Sequence, residues 1–312
     1  MIATVTLNPS LDEWMHLPLL RVGVLNRATN FARYPGGKGI NVSRVVHELG
    51  GHTVAYALAG GEDGLILREL MNRMRIPHEF VTLAGTTRNN YKIRTEAPRV
   101  LTEINTAGPR VSLSTLRALQ HRVLRRAPRP ACVALCGSLP PGAPPALYQQ
   151  WIRMLRRRGI PAVLDASGDA LRYGLAARPW LIKPNRQEAE ELLHMRLTRM
   201  SSVIQAARRL VAYGPEIVIV SLGRDGALMA CALPRGIWKA TPPSVAVDSA
   251  VGSGDSLVGG FLVGWSTRRP LLEAFRLGIA CGAASAMTSG TELCHRRDVQ
   301  RLLPRVKIQR IA

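Results

Sequence analysis

Two glycine-led segments carry the residues best suited to chemistry. In residues 249–265 (SAVGSGDSLVGGFLVGW), Gly252, Ser253 and Gly254 permit a tight turn whose N–H groups converge, and Asp255 follows in the first turn of an apolar helix. Such a turn attracts negative charge through its bare N–H groups and the helix dipole. A carboxylate beside it suits phosphoryl transfer: the N–H groups steady the moving phosphoryl group while Asp255 takes the proton of an acceptor hydroxyl. The plainer reading has Asp255 satisfy the helix N-terminus and nothing more.

The second segment, residues 35–51 (PGGKGINVSRVVHELGG), opens a helix, because Val42, Val45, Val46 and Leu49 recur at i, i+3, i+4 and i+7. Its glycine loop and Lys38 form another anion site, with a phosphate carried by the acceptor as a natural occupant. Lys38 is followed by Gly39 instead of Ser or Thr, so this is not a nucleotide P-loop, and GSGD lacks the glycine spacing of a dinucleotide fold. Two anion sites in one chain favour the chemical reading of Asp255.

The elements that position these segments read as α/β. From about residue 131, apolar runs (ACVALCGS, IPAVLDAS, WLIKPN, EIVIVSLG) alternate with helical stretches near 145–158, 168–177 and 186–195. That alternation predicts a doubly wound, mainly parallel sheet flanked by helices. Asn185 or the residues just after it cap the helix starting near Arg186, while Gly159 and Gly214 end the helices before them. Residues 12–34 and 80–106 hold short strands with interspersed charges. They are expected to form a small β lid, as excursions from a single domain spanning 1–312.

Composition excludes several classes. With 46% hydrophobic and 20% charged residues in 312, the chain is neither disordered nor a membrane protein. A signal segment is not evident, and a cytoplasmic location is expected. Cys132, Cys136, Cys231, Cys281 and Cys294 form no CxxC pair and read as buried, reduced thiols. His16, His47, His52, His78 and His121 show no ligand spacing. All but five of the 42 basic residues are arginines, and they give a net charge of +21. They are spread over many helices, and aromatic residues are only 5%, so nucleic acid is not the expected partner, although anionic small molecules would be attracted.

The ordered set TLNPSLD (6–12), GGKGIN (36–41), CGSLPPG (136–142), KPNRQE (183–188), SLGRDGA (221–227), DSAVGSGDSLVGG (248–260) and SGTELC (289–294) resembles the ribokinase/PfkB carbohydrate kinases over almost the whole chain. Within that family the likeness is to the phosphohexose kinases. LNR (25–27), TRNNYKI (87–93) and TEINTAGP (102–109) resemble the 1-phosphofructokinase and tagatose-6-phosphate kinase branch; LDASGDAL and SGTELC resemble the minor 6-phosphofructokinases equally well.

The resemblance implies ATP as co-substrate with Mg²⁺, and a hexose phosphate as acceptor, fructose 1-phosphate being favoured. Asp12 and Asn41 would hold sugar hydroxyls, with Asn8 and Gly37 lining the same pocket. Lys38, Arg88 and Ser138 would surround the acceptor's phosphate, with Lys92 and Glu103 as lid contributors. Arg88 suits a phosphate through paired N–H bonds, although Arg88 and Lys92 also read as a solvated charged edge. Asn185 and Glu188 match an NxxE motif that positions Mg²⁺ and its waters. Glu188 read by itself is an ordinary first-turn acid. Lys183, Ser221, Gly223, Gly226, Gly282 and Ser285 would flank the nucleotide. Ser253 replaces the usual alanine of GAGD; the backbone N–H function does not need that side chain. The likeness also implies a homodimer through the lid. The rival readings are a kinase of an unphosphorylated sugar or nucleoside, against which Lys38 and Arg88 stand, and an inactive sugar-phosphate sensor that binds DNA.

Overall fold

The computed structural model describes residues 1–311. In chain order its strands are β1 (Ile2–Thr6), β2 (Ser10–Leu17), β3 (Asn30–Gly36), β4 (Thr53–Ala59), β5 (His78–Thr82), β6 (Arg88–Thr95), β7 (Leu101–Asn105), β8 (Cys132–Cys136), β9 (Ala162–Asp165), β10 (Leu181–Ile182), β11 (Ile217–Ser221), β12 (Ala227–Cys231), β13 (Gly236–Thr241) and β14 (Lys307–Arg310). The helices are α1 (Lys38–Glu48), α2 (Gly61–Arg73), α3 (Leu113–Arg125), α4 (Leu147–Arg157), α5 (Gly168–Leu175), α6 (Arg186–Leu193), α7 (Met200–Ala212), α8 (Ser253–Ser266), α9 (Leu271–Ala286) and α10 (Arg296–Leu302).

Ten strands form one sheet in the order β14-β13-β12-β11-β10-β9-β8-β1-β4-β5. It is parallel from β5 to β11 and antiparallel from β11 to β14. The turn at 222–226 between β11 and β12 is too short for a crossover, which forces the antiparallel edge. Side chains alternate between two cores. Ala3, Val5, Val133 and Leu135 pack under α3, α4 and α7; Ile2, Cys132, Ala134 and Cys136 pack under α1, α8 and α9. Cys132 and Cys136 are buried, as read, and burial pushes the Cys132 thiol up to about 12.

The chain runs outward from β1 to β4 and β5, then returns to β8 on the other side of β1. Ligands of open α/β sheets bind beyond the carboxyl ends of the strands at such a reversal. Asn8 after β1, Ser138 after β8, Asp165 closing β9, Lys183 just past β10 and Ser221 closing β11 all lie on that edge.

A separate four-stranded sheet, in the order β3-β2-β6-β7, is built from the two stretches expected to form a lid. It differs from the expected bounds in two places. Residues 80–82 belong to β5, which pairs with β4 in the main sheet, and the lid begins at Ser10 instead of residue 12. Leu11 explains the second difference: it buries against Ile40, Ala57, Leu67 and Met71, anchoring the first lid strand in the main body.

α8 is buried from Asp255 through Gly264, as a helix that is apolar all round must be. Gly259 brings it against α1, since a Cβ there would lie 2.7 Å from Val45 Cγ1. That close approach sets Asn41 of α1 beside Asp255 of α8. No helix among the described residues is long and apolar enough to cross a membrane.

Candidate active site

Gly252 caps α8 in the left-handed region at φ +77°, and any side chain there would strike Leu293. Among the described residues no hydrogen-bond acceptor meets the N–H of Gly254 or Asp255, which leaves a bare helix start for an anion. Ser253 turns its hydroxyl inward, shielded from solvent and without a partner. The Asp255 carboxylate is buried, and its Oδ2 accepts a 2.8 Å hydrogen bond from Asn41 Nδ2. Burial, then the charge of Asp165, push its carboxyl up to about 6 against the opposing pull of Lys38, Asn41 and Lys183.

Asp165 is 0% exposed. Its Oδ1 lies 2.9 Å from Lys38 Nζ and its Oδ2 3.4 Å from Lys183 Nζ. Burial alone would raise its pKa; the two ammonium groups outweigh that and hold it below the ordinary carboxylate value. Lys183 also reaches the phosphate turn, for a Cβ on Gly254 would sit 3.4 Å from its Nζ. Sequence reasoning passed over Asp165. The available signal was a lone acid closing the otherwise apolar strand AVLD.

The Lys38 ammonium faces Asp165 at 2.9 Å and Glu188 at 3.6 Å. Burial would lower its pKa, but Asp165, Glu188 and Asp255 together raise it.

Arg88, at the start of β6, donates from Nη2 to Asn8 O at 3.2 Å and from Nη1 to Thr106 O at 3.1 Å; its Nε is buried without a partner. Asn8 Nδ2 donates in turn to Ser138 Oγ at 3.2 Å. Tyr148 steadies that corner by donating to the carbonyls of Cys136 and Gly137. Arg88, Asn8 and Ser138 line a cavity of about 490 Å³ together with Gly108, Pro141 and Ser167, a size suited to a small ligand. The charge of Asp12 acts on both Arg88 and the buried Arg44. Asp12 Oδ1 accepts from Ser10 Oγ at 2.9 Å and Asn90 Nδ2 at 3.1 Å. Gly37 is the N-cap residue of α1. Lys92 and Glu103 meet each other at 2.7 Å across β6 and β7, so that both are spent on an ion pair inside the lid.

On the other side, Asn185 caps α6 and bridges to Ser221, and Gly223 and Gly226 make the tight turn after β11. Gly282 of α9 faces Ser253 O, and Ser285 Oγ is buried without a partner beside Gly252.

This arrangement joins an anion-binding helix start, a buried carboxylate of raised pKa and two lysines at the switch point of a parallel sheet. A family model for pfkB family carbohydrate kinases matches residues 5–297. The chain belongs to the pfkB family of carbohydrate kinases. It is therefore a phosphotransferase with an alcohol acceptor and ATP as co-substrate. It is 37% identical to the 1-phosphofructokinase of Bacillus subtilis (strain 168) over 100% of both chains. It is 34% identical to that of Escherichia coli (strain K12), covering 99% of this chain and 98% of the other. Phosphofructokinase-2 from Escherichia coli, solved in complex with substrates and products, superposes with a TM-score of 0.92 at 34% identity, over 97% of this chain and 98% of that one.

As a pfkB kinase the chain would be expected to use a divalent cation. Among the described residues no three His, Cys, Asp or Glu side chains gather into a cage; Mg²⁺ does not need one, because it keeps several waters. Glu188 Oε2 accepts from Asn185 N at 2.8 Å in a capping box, so the plain helix-acid role is realised. Its other oxygen is turned toward Lys38, and the buried Asp165 Oδ2 has only the Lys183 ammonium, at 3.4 Å, beside it. These oxygens fit a hydrated cation.

Two further features went unread in the sequence. Arg94 and Arg99 of the lid both grip Asp248, whose carbonyl and Oδ1 accept from Arg94 at 2.8 and 3.1 Å, while Arg99 lies 2.5 Å from Oδ1. The lid is thereby pinned to the segment that leads into the phosphate turn. The other feature is Arg44.

Proposed function

We propose that this kinase transfers the γ-phosphoryl group of ATP to a hydroxyl of a hexose phosphate, with fructose 1-phosphate the favoured acceptor. The observation that supports the reading is the Arg88, Asn8 and Ser138 cavity beyond the carboxyl ends of the strands, in a chain whose Asp255 helix start shares the charges of Asp165 and Lys38 at that edge. The helix start is built for a moving phosphoryl group. The cavity offers a guanidinium with a free Nε and a hydroxyl, a donor set for a phosphate that stays put. The full-length likeness to two enzymes named 1-phosphofructokinase favours fructose 1-phosphate. The likeness to phosphofructokinase-2 keeps fructose 6-phosphate as the alternative.

In the reaction, the acceptor oxygen forms a new bond to the γ-phosphorus as the bond to the ADP oxygen breaks. The hydroxyl proton passes to Asp255. The N–H groups of Gly254 and Asp255, with Lys183 and Lys38, face the charge on the phosphoryl oxygens. Asp12 and Asn41 orient the sugar. A bound Mg²⁺ would supply charge neutralisation on the ATP phosphates, held through water by Glu188 with Asn185 behind it. Lys183, Ser221, Gly223, Gly226, Gly282 and Ser285 flank the nucleotide, and Arg94 and Arg99 keep the lid down to exclude water.

The lid also exposes Val22 (96%) and Leu25 (73%) along with Phe31 and Ile104. This apolar surface supports a homodimer formed through the small sheet.

Replacing Arg88 by alanine tests the acceptor assignment. Steady-state kinetics should show KM for the sugar phosphate rising by one to two orders of magnitude, roughly the worth of one or two charged hydrogen bonds. KM for ATP should hardly move. Equal changes in both would place the acceptor phosphate elsewhere.

A further inference from the structure

Arg44 lies in the middle of α1 and is only 7% exposed, yet none of the roles assigned so far uses it. Both of its Nη atoms are engaged. Nη1 donates to Pro35 O at 3.2 Å and Asn41 Oδ1 at 3.1 Å; Nη2 donates to Thr291 O at 2.7 Å and Glu292 O at 3.3 Å. A buried guanidinium needs such acceptors to remain charged. The same residue thus ties α1 to the 291–292 segment, whose neighbour Leu293 packs on Gly252.

The contact with Asn41 has a chemical consequence. An arginine only donates, and an ionised carboxylate only accepts. Asn41 stands between Arg44 and Asp255, and one sense of its amide serves both: oxygen toward Arg44, nitrogen toward Asp255. Turned the other way, it would aim its NH₂ at a guanidinium and its oxygen at a carboxylate. We propose that Arg44 is a positioning residue that locks the Asn41 amide in the donating sense, and so holds Asp255 ionised and ready to accept the acceptor's proton.

The proposal rests on Asp255 being the base. The other groups facing Asp255 are Lys38 on α1, Asp165 at the end of β9, Lys183 past β10 and Cys136 closing β8. Asn41 alone hydrogen-bonds its carboxylate among the described residues. Facing Arg44 are Asp12 on β2, Tyr34 on β3, Glu292 and Asp255. With Arg44 gone, Asn41 is free to turn its oxygen to Asp255. That contact favours the protonated acid, so the base is lost at a higher pH than before.

The test is the pH profile of kcat/KM in Arg44→Met and Arg44→Gln, neither of which presents a donor-only group to Asn41. The acid limb should move upward by about one to two pH units, the worth of one hydrogen bond to a charged group. In an Asn41→Ala background the same Arg44 substitutions should shift it no further. Folded variants whose acid limb stays in place would overturn the proposal. So would failure of both variants to fold, which would assign Arg44 to the scaffold. Failure of the base reading looks different: the unaltered enzyme would show no acid limb near pH 6, and both ideas would fall together.

Discussion

Asp255→Asn should lower kcat by about 10² to 10⁴, the usual contribution of a general base, while KM for ATP stays near that of the unaltered enzyme. Asparagine keeps the shape and can still face the Asn41 amide, but it cannot take a proton. Because burial and Asp165 push the Asp255 carboxyl up to about 6, the wild-type profile should carry a matching signature. Below that pH the carboxyl is protonated and has no capacity for the hydroxyl proton, so kcat/KM falls on the acid side; above it the base is ionised and the profile is flat. The limb should be absent in whatever activity Asp255→Asn retains. A fully active variant would leave Asp255 as nothing more than the acid that completes a helix start.

Asp165→Ala should cost about 3–5 kcal/mol of unfolding free energy, the range seen when one member of a buried ion pair is removed. Lys183, 4% exposed, would be left with its charge uncompensated. Lys38 is less endangered, being partly exposed and within 3.6 Å of Glu188. Chemical denaturation measures the loss. Activity should fall with it, since both lysines depend on this carboxylate for their orientation beside the phosphate turn. An unchanged unfolding midpoint would show that the two ammonium groups are solvated without help from Asp165.

What the sequence disclosed, and what it concealed, follows from the range of each interaction. The glycine turns, the apolar run of α8 and the Asn185 cap are local patterns, and all three stand where they were read. The parallel sheet was legible because its strands are apolar runs between helices. The lid's bounds were not, because Leu11 is drawn out of a charged lid strand by burial against α2. The partners of the catalytic groups lie far apart along the chain: Asn41 and Asp255 are separated by 214 positions, Lys38 and Asp165 by 127. No spacing rule reaches that far. Hence Lys38 was read as part of an anion site from its glycine loop and charge, and placed at the acceptor's phosphate by the resemblance, whereas the acid its ammonium faces, Asp165, had not been singled out. Arg44 carried a fainter signal. A charged residue one turn after Ile40, on a face that is buried, has to find acceptors inside the protein.

The most direct measurement is ADP release with fructose, fructose 1-phosphate, fructose 6-phosphate and tagatose 6-phosphate offered to the same enzyme under the same conditions. If Asp255 and Arg88 serve one acceptor as proposed, the enzyme should turn over a phosphorylated ketohexose, fructose 1-phosphate first, and handle free fructose poorly because nothing would occupy Arg88. Free fructose matching the best of the phosphates would contradict that assignment.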